Sequence, residues 1–298
     1  VDILAGGDSN TVFNAPISIG IDGITGVQTL QGQDVINGGE GHNVLNAELN
    51  GTGTTSNPTI SNVQVYNLTA FQGYGELDLS RATGYEELWD RNSRANLGVY
   101  NVGEVATLGL DNVSGGSTFW VGYDNIAVET QVVVANHSGA AGNSVDLDIY
   151  GVMGDIGTLE LNVSNGAYLY LDSDGSDTEN LTIAGSGTLQ LEGANNFRNL
   201  QTLDTLGYDG DVNLNISGGG NVVSVLTGVG DDRIVVDDSS VNGGLVVDLG
   251  AGENTLAVYN AYYYGVSDLD FTGGVQNVQT LELTSSINLY YGDTTLDL

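Results

Sequence analysis

The chain has 298 residues with no cysteine and no lysine, and its 38 acidic and five basic residues leave a formal charge of −33. The lack of cysteine excludes disulfides and thiolate metal sites, and so acidic a surface would repel phosphate backbones and anionic lipids. We therefore expect no nucleic-acid partner, and no apolar stretch is long enough to insert into a membrane.

Short alternations of apolar and polar residues recur along the chain, and each ends in Gly, Asn, Asp or Ser. This pattern predicts β-strands closed by tight turns. The best helical signal is Tyr85–Ala95, which we expect to form one helical turn at most. In chain order, the strand phrases are Leu77–Leu79, Leu108–Leu110, Leu147–Ile149, Leu159–Val163, Leu169–Leu171, Leu189–Leu191 and Leu214–Ile216.

One device made of a glycine turn, an oxygen-bearing side chain and a short strand occurs twice. The phrase Gly228-x-Gly230-x-Asp232-x-Ile234 recurs 22 residues later as Gly250-x-Gly252-x-Asn254-x-Leu256. A repeat of about 20–25 residues that combines a turn with a strand is typical of a parallel β-solenoid. The sequence therefore predicts an all-β fold, a parallel β-helix (β-solenoid) of roughly a dozen coils.

The organisation of the chain follows from the same repeat. No linker divides it, so we interpret residues 1–298 as a single elongated domain and as a piece of a longer protein. A boundary near residue 140 is the alternative. Segments 232–236 and 254–258 are expected to be parallel strands. The predicted core stack includes Val222, Val225, Ile234, Val246, Leu249, Leu256, Val258, Val278, Leu281 and Leu283.

The repeated glycine turn with its oxygen-bearing side chain, which we call a corner, predicts a calcium site. Asp232 and Asn254 fall at the same point of successive coils, so their oxygens are expected to stack together with those of Asp231 and Glu253. Stacked carboxylates repel each other unless a cation lies between them, and Ca²⁺ prefers oxygen ligands. The alternative is that these residues bond their own backbone in ordinary turns.

Two earlier glycine corners repeat the pattern less completely. In Gly38–Leu45, Asn43 stands at the Asp position and Glu40 precedes it by three residues. The segment 6–12 lacks one glycine but carries Asp8 and Asn10. We predict calcium ligands at both corners, although Asn contributes no charge.

A further calcium candidate is the acidic loop that contains Asp172, Asp174 and Asp177. Its glycine comes at the fourth position rather than the sixth, and its twelfth residue is Ile183 rather than Glu, so the loop is not an EF-hand. A single calcium ion held by the three aspartates and a plain solvated turn are the two remaining interpretations.

The glycine corners resemble the repeat-in-toxin nonapeptide G-G-x-G-x-D-x-U-x, in which U is a large apolar residue. A second phrase, N-V-Q-T-L-E-L at 277–283, recurs in looser form at 62–68 and 199–203. It resembles strands of calcium-dependent surface-layer proteins and secreted adhesins of Gram-negative bacteria. The resemblance implies a right-handed parallel β-helix, bound Ca²⁺, a secreted or cell-surface location and self-assembly into sheets or filaments.

Consecutive tyrosines indicate where such assembly would occur. Tyr262, Tyr263 and Tyr264 cannot all point inward on one strand, so we predict that they contribute to a subunit interface. The leading functional hypothesis is an extracellular structural protein that binds calcium at its corners and self-associates, and not an enzyme.

Two alternatives use the same fold. A pectin-lyase-like enzyme would need a basic residue for proton abstraction, whereas this chain has only isolated arginines; acid pairs such as Asp146 with Asp148 could instead serve a glycosidase. A carbohydrate-binding module that recognises cell-surface polysaccharide would use tyrosine patches such as Tyr168 with Tyr170.

Overall fold

The structure is a computed structural model that describes residues 1–19, 26–51, 55–154, 156–172, 178–192, 197–218, 221–259, 269–271, 273–284 and 296–297. It is nearly all β, with about 2% helix, and its parallel sheets form a β-solenoid of about 10 turns. The predicted fold class is therefore confirmed, with slightly fewer coils than the expected dozen.

The strands are short and follow one another with brief turns between them. They are β1 (Ile3–Ala5), β2 (Val12–Ala15), β3 (Ile17–Ile19), β4 (Gly26–Gln28), β5 (Val35–Asn37), β6 (Val44–Asn50), β7 (Thr59–Ser61), β8 (Val65–Gln72), β9 (Tyr74–Asp78), β10 (Ala82–Thr83), β11 (Glu87–Arg91), β12 (Asn96–Val102), β13 (Thr107–Asp111), β14 (Thr118–Ile126), β15 (Thr130–Ser138), β16 (Val145–Val152), β17 (Ile156–Asp172), β18 (Thr178–Ser186), β19 (Leu189–Glu192), β20 (Thr202–Asp209), β21 (Val212–Asn215), β22 (Ser224–Val229), β23 (Arg233–Asp237), β24 (Val246–Asp248), β25 (Thr255–Tyr259), β26 (Leu269–Asp270), β27 (Val275–Gln276), β28 (Thr280–Thr284) and β29 (Leu296–Asp297). One short helix, α1 (Asp238–Asn242), follows β23, and the Asp237 side chain caps it by accepting a hydrogen bond from the Ser239 N–H.

Most strands belong to two ladders of parallel strands, of which the first begins at β2 and the second at β9. The first ladder is β2, β6, β8, β11, β13, β15, β17, β18, β20, β22, β24 and β27. The second ladder is β9, β12, β14, β16, β17, β19, β21, β23, β25 and β28. The long strand β17 bends and belongs to both, and a shorter parallel sheet of β1, β5, β7 and β10 lies beside the N-terminal coils.

A single left-handed residue turns the chain from the first ladder toward the second in successive coils. Asn92, Asn112, His137 and Asn165 have φ between 47° and 58° and follow residues that are partners in the ladder. Asn tolerates this conformation because its short side chain can hydrogen-bond locally. Here the Asn112 amide donates to Oδ1 of Asn92 at 2.8 Å, so the corner residues also join neighbouring coils.

The core consists of rows of apolar side chains, one from each coil. Alternation along each strand turns every second side chain inward, and the parallel register places those side chains directly above one another. Full burial of such a side chain stabilises the fold by about 1.5–3 kcal/mol. One row, in which every side chain is at most 1% exposed, is Leu45, Tyr66, Leu88, Leu108, Val133, Leu161 and Ile183.

The expected helical turn at Tyr85–Ala95 was wrong. The segment contains β11, which pairs in parallel with β8 and β13. The acidic residues at the start of the segment favoured the helix prediction. The segment instead stacks between two strands, and Leu88 and Asp90 are buried on one face, which residues two positions apart share in a strand but not in a helix.

The remaining fold predictions were mostly correct. Each of the seven strand phrases overlaps a strand, and β23 and β25 are parallel. Of the predicted core, Val246 and Leu283 are 43% and 42% exposed, so their assignment was wrong. Val246 points outward because alternation in β24 turns its neighbour Val247 inward, and Leu283 lies in β28, the last strand of the second ladder among the described residues.

Candidate functional site

Asn254, at the second repeated corner, is completely buried directly before β25. Its Oδ1 accepts a hydrogen bond from the N–H of Asp232 in the preceding coil at 2.9 Å. Its Nδ2 donates to the carbonyl oxygens of Leu249 at 2.7 Å and Asn277 at 3.1 Å. Its own N–H donates to Oε1 of Gln279 at 2.7 Å. The Asn254 side chain and backbone therefore join three successive coils.

Asn43 makes the same three contacts with neighbouring coils near the other end of the chain, and it is also completely buried. Its Oδ1 accepts from the Thr11 N–H at 2.8 Å, and its Nδ2 donates to the carbonyl of Asn62 at 2.8 Å. Its N–H donates to Oε1 of Gln64 at 2.8 Å. The Asn-Val-Gln phrases at 62–64 and 277–279 are thus the partners of the glycine corners, one coil later.

Asp232 occupies the position of Asn254 in the preceding coil, but one of its two side-chain oxygens lacks a hydrogen-bond partner. Its Oδ1 accepts the Val212 N–H at 2.9 Å, whereas its Oδ2 is buried and has no hydrogen-bond partner among the described residues. The Thr227 hydroxyl lies nearby without a hydrogen bond of normal geometry. Burial raises the pKa of Asp232, as do the nearby carboxylates of Asp211 and Asp231, against the lowering effect of Thr227 and Val212.

Three exposed acids form a column beside Asp232. Oδ1 of Asp211 accepts the N–H of Asp231 at 2.8 Å, and Oδ1 of Asp231 accepts the N–H of Glu253 at 2.9 Å. The carboxylates of Asp211 and Asp231 thus each bind the backbone of the next coil, and all three acidic residues are exposed to solvent. The column places like charges one coil apart, which raises the negative potential at this corner.

These contacts define which corner atoms are available to a cation. Asn43 and Asn254 use their polar atoms for hydrogen bonds with the backbone, whereas Asp231 and Glu253 face solvent and Asp232 keeps one unpaired oxygen. Within the described ranges, no three His, Asp or Glu side chains converge closely enough to hold a metal ion. A calcium ion here would need turn carbonyls to complete its shell, and its binding stays a prediction.

Among the described residues, the other predicted calcium ligands include no group of three acidic side chains that could hold a metal ion. Asp8, Asn10 and Glu40 are exposed; Oδ1 of Asn10 accepts the His42 N–H at 2.9 Å, and the Glu40 N–H donates to a glycine carbonyl of the preceding coil. Asp172 ends β17. The remaining predicted positions, Asp174, Asp177, Tyr262, Tyr263 and Tyr264, lie outside the described residues.

Sequence reasoning missed Asp34, which is another buried corner acid. Its Oδ1 accepts the N–H of Asp2 in the preceding coil at 2.9 Å, and its Oδ2 accepts the N–H of Gln31 at 2.8 Å. Both carboxylate oxygens are therefore paired, unlike those of Asp232. Gly32-x-Asp34-x-Ile36 matches the second half of the nonapeptide and was a signal that could have revealed it.

Asp90 was also missed, although it is completely buried inside the solenoid. It faces Leu68 and Leu110 in the coils on either side, and the Ser93 hydroxyl donates to its Oδ1. Burial raises the pKa of Asp90 to about 7, against the lowering effect of Ser93. Alternation with Leu88 indicates an inward Asp90, so the sequence carried this signal too.

The chain matches no protein-family model, no curated protein and no solved structure. In the part of the chain that the structure describes, no helix is long and apolar enough to cross a membrane. The class of protein that the fold defines is a parallel β-solenoid whose coils are joined by corner side chains.

Proposed function

We propose that the chain is a structural β-solenoid of an extracellular or cell-surface protein, that calcium stabilises it at the corner formed by residues 230–254, and that it self-associates. The observation that supports this best is the buried, unpaired Oδ2 of Asp232 beside Asp211 and Asp231. A buried polar atom without a partner costs about 1–3 kcal/mol, and a bound cation would remove that cost.

Calcium suits this corner because all the available donors are oxygens. Asp231 and Asp232 would hold the ion, with turn carbonyls, while Asp211 and Glu253 would add negative charge from the neighbouring coils. Ca²⁺ accepts six to eight such ligands in irregular geometries. Each bound ion would also remove two units from a formal charge of −33, which opposes compaction of the chain.

The self-association component and the extracellular location both rest on the resemblance of the glycine corners and of the Asn-Val-Gln segments to surface-layer proteins and secreted adhesins.

Thermal unfolding in EGTA and in calcium, at equal ionic strength, tests the calcium component. Asp232→Asn is the decisive variant, because Asn is what the next coil already carries at this position: it keeps the acceptor for Val212 but has no charge. We expect calcium to raise the wild-type Tm by several degrees, since occupancy at about 1,000 times Kd adds about 4 kcal/mol. Asp232→Asn should lose this response and one binding step in calorimetry.

The matched control is Asp124→Asn, which removes one exposed carboxylate from β14 and leaves the corner intact. It should respond to calcium like the wild type. Equal melting temperatures in EGTA and calcium for the wild type would contradict the calcium proposal. Electron microscopy of the wild type tests assembly: we expect ordered filaments or sheets in calcium, and persistent monomers would contradict self-association.

A further inference from the structure

An aromatic groove lies on the outer face of the second ladder, in strands that precede the proposed calcium corner in the sequence. It crosses four consecutive strands, β9, β12, β14 and β16, which are in parallel register. At a strand spacing of about 4.8 Å, it extends over roughly 14 Å. The groove is open to solvent and has a volume of about 420 Å³, and its lining consists of Tyr74, Tyr100, Trp120, Asp148, Tyr150 and Gly151.

Two glycines shape this groove by leaving gaps in the outward rows of side chains. A Cβ at Gly98 would lie 2.5 Å from the Tyr74 hydroxyl and 2.6 Å from that of Tyr100, so the tyrosines fill the space of the missing side chain. A Cβ at Gly122 would lie 2.7 Å from the Tyr150 ring. The rings therefore lie against the sheet instead of standing out from it.

The aromatic rings are held in place by one another. The Tyr74 and Trp120 rings meet edge to face, with centroids 5.0 Å apart and an interplanar angle of 84°. The hydroxyls of Tyr74 and Tyr100 are in hydrogen-bond contact. Such pairing is worth about 0.5–1.5 kcal/mol beyond the buried area, so the half-buried rings are organised before any ligand arrives.

Both hydrogen-bond donors and hydrogen-bond acceptors border the rings. The Tyr100 hydroxyl is 3.5 Å from Oε1 of Glu76, and Asp148 stands beside Trp120 on the same outward row. Burial, together with the nearby Tyr100, Asp148 and Glu76, raises the pKa of Tyr150 to about 12. Tyr150 thus keeps its proton as a donor at neutral pH, while the carboxylates are acceptors.

We propose that this groove binds a neutral oligosaccharide chain. The C–H faces of sugar rings are apolar and flat enough to stack on Trp120 and the tyrosines, and sugar hydroxyls can pair with the tyrosine hydroxyls and carboxylates. The cavity volume falls within the range of about 300–1,000 Å³ that is usual for ligand sites. This binding activity is separate from the structural role proposed above.

Charge decides between sugar classes and against a second copy of the chain as the occupant. Glu76 and Asp148 add to the field of a protein with a formal charge of −33, which repels polyuronates and sulfated glycans. The groove lining contains Asp148 and no basic residue, so this face offers nothing to offset the repulsion from the same carboxylates of a second copy. A neutral chain is desolvated without that repulsion.

The two tryptophans of the chain provide the test, because Trp89 is a matched partner for Trp120. Trp89 lies in the first ladder, also over a glycine, Gly109, and its ring contacts the Arg91 guanidinium at 4.2 Å. Trp89→Phe leaves Trp120 as the only tryptophan, and Trp120→Phe leaves Trp89. Both proteins are titrated with cellohexaose, maltohexaose, mannohexaose and chitohexaose, with hexagalacturonate as the anionic probe, and the fluorescence emission is followed.

We expect a saturable change in emission with at least one neutral hexasaccharide when Trp120 is the reporter, and none when Trp89 is. Tyr150→Ala in the Trp89→Phe background should weaken that binding at least tenfold, about 1.4 kcal/mol, without changing the circular-dichroism spectrum. It should also leave the calcium response of the Tm unchanged, so failure of this proposal can be distinguished from failure of the proposed structural function.

Any one of four results would overturn the proposal. The first is no saturable change with any neutral hexasaccharide, and the second is an equal change in both single-tryptophan proteins. The third is tighter binding of hexagalacturonate than of every neutral probe. A Trp120 emission that shifts with protein concentration in the absence of sugar would assign the groove to contacts between copies of the chain, which also overturns it.

Discussion

The backbone N–H of Asp232 donates a 2.9 Å hydrogen bond to Oδ1 of Asn254, which stands at the same position one coil later. The next coil repeats this backbone-to-side-chain hydrogen bond, since the N–H of Asn254 donates to Oε1 of Gln279. At this corner, a side chain therefore replaces the ladder hydrogen bond that the turning backbone cannot make. Because the amide of Asn254 also donates to carbonyls and the carboxylate of Asp232 cannot, the two corners differ in stability and in charge.

Replacement of Asn254 by Ala should destabilise the protein by about 2–4 kcal/mol. The change leaves the Asp232 N–H and the Leu249 carbonyl buried without their partner, and each such group costs about 1–3 kcal/mol. Guanidinium chloride unfolding measures the difference. Asn213→Ala, at an exposed position of β21, is the control and should stay within about 0.5 kcal/mol of the wild type. Equal losses in the two variants would show that the corner contact contributes nothing specific.

In EGTA, Asp232→Asn should stabilise the protein at neutral pH by about 1–3 kcal/mol, because a neutral amide replaces a buried carboxylate whose Oδ2 has no partner. The folded-state pKa of Asp232 is raised, so its favourable contribution is fully present below its unfolded pKa and is lost as pH rises through the folded one. The advantage of the variant should therefore shrink as pH falls toward about 4. A variant that is less stable than the wild type at pH 7 in EGTA would contradict this expectation.

Asp90→Asn should remove a pH dependence of the free energy of unfolding that arises from a core side chain. The pKa of Asp90 rises from 3.8 to about 7, so its favourable contribution is complete below pH 3.8 and is lost as pH rises through about 7. Each pKa unit is worth about 1.36 kcal/mol, which gives the wild type a penalty on the order of 4 kcal/mol at pH 8.

Denaturant unfolding at pH 4 and pH 8 tests this. The Asn side chain can still accept the Ser93 hydrogen bond, so the variant and wild type should be similar at pH 4, and the variant should be more stable at pH 8. Parallel stability curves across this range would mean that Asp90 keeps its ordinary ionisation in the folded protein.

The left-handed position in β14 should tolerate Gly better than Ala. Asn125 is exposed and has a φ of 51°. A residue with a Cβ and no local hydrogen bond is strained there by about 1–2 kcal/mol, and Gly is not. We expect Asn125→Ala to lower the free energy of unfolding by about 1 kcal/mol and Asn125→Gly to leave it nearly unchanged. The same Ala and Gly changes at Asn213, where φ is not positive, should reverse this order.

Several features of the fold were predictable from local sequence. Alternation is a property of adjacent residues, and the glycine and asparagine turns recur once per coil, so the strands and their parallel stacking could be predicted together. The repeat 228–256 also placed Asp232 and Asn254 at one corner. The helical signal at 85–95 misled because it was judged without the strands that stack above and below it.

A parallel solenoid with polar corners could be predicted from the amino-acid sequence, since it requires only a short repeating pattern of apolar, polar and turn residues. The tertiary structure decided what each corner side chain meets: Asn254 meets carbonyls, whereas Oδ2 of Asp232 meets no partner. It also brought Tyr74, Trp120 and Tyr150 together. Paired residues of neighbouring coils are separated by 20 residues at Leu88 and Leu108 but by 28 at Val133 and Leu161. Because the coil length varies in this way, no fixed period in the sequence reveals which outward side chains become neighbours; the hydrogen-bond register of the stacked strands sets it.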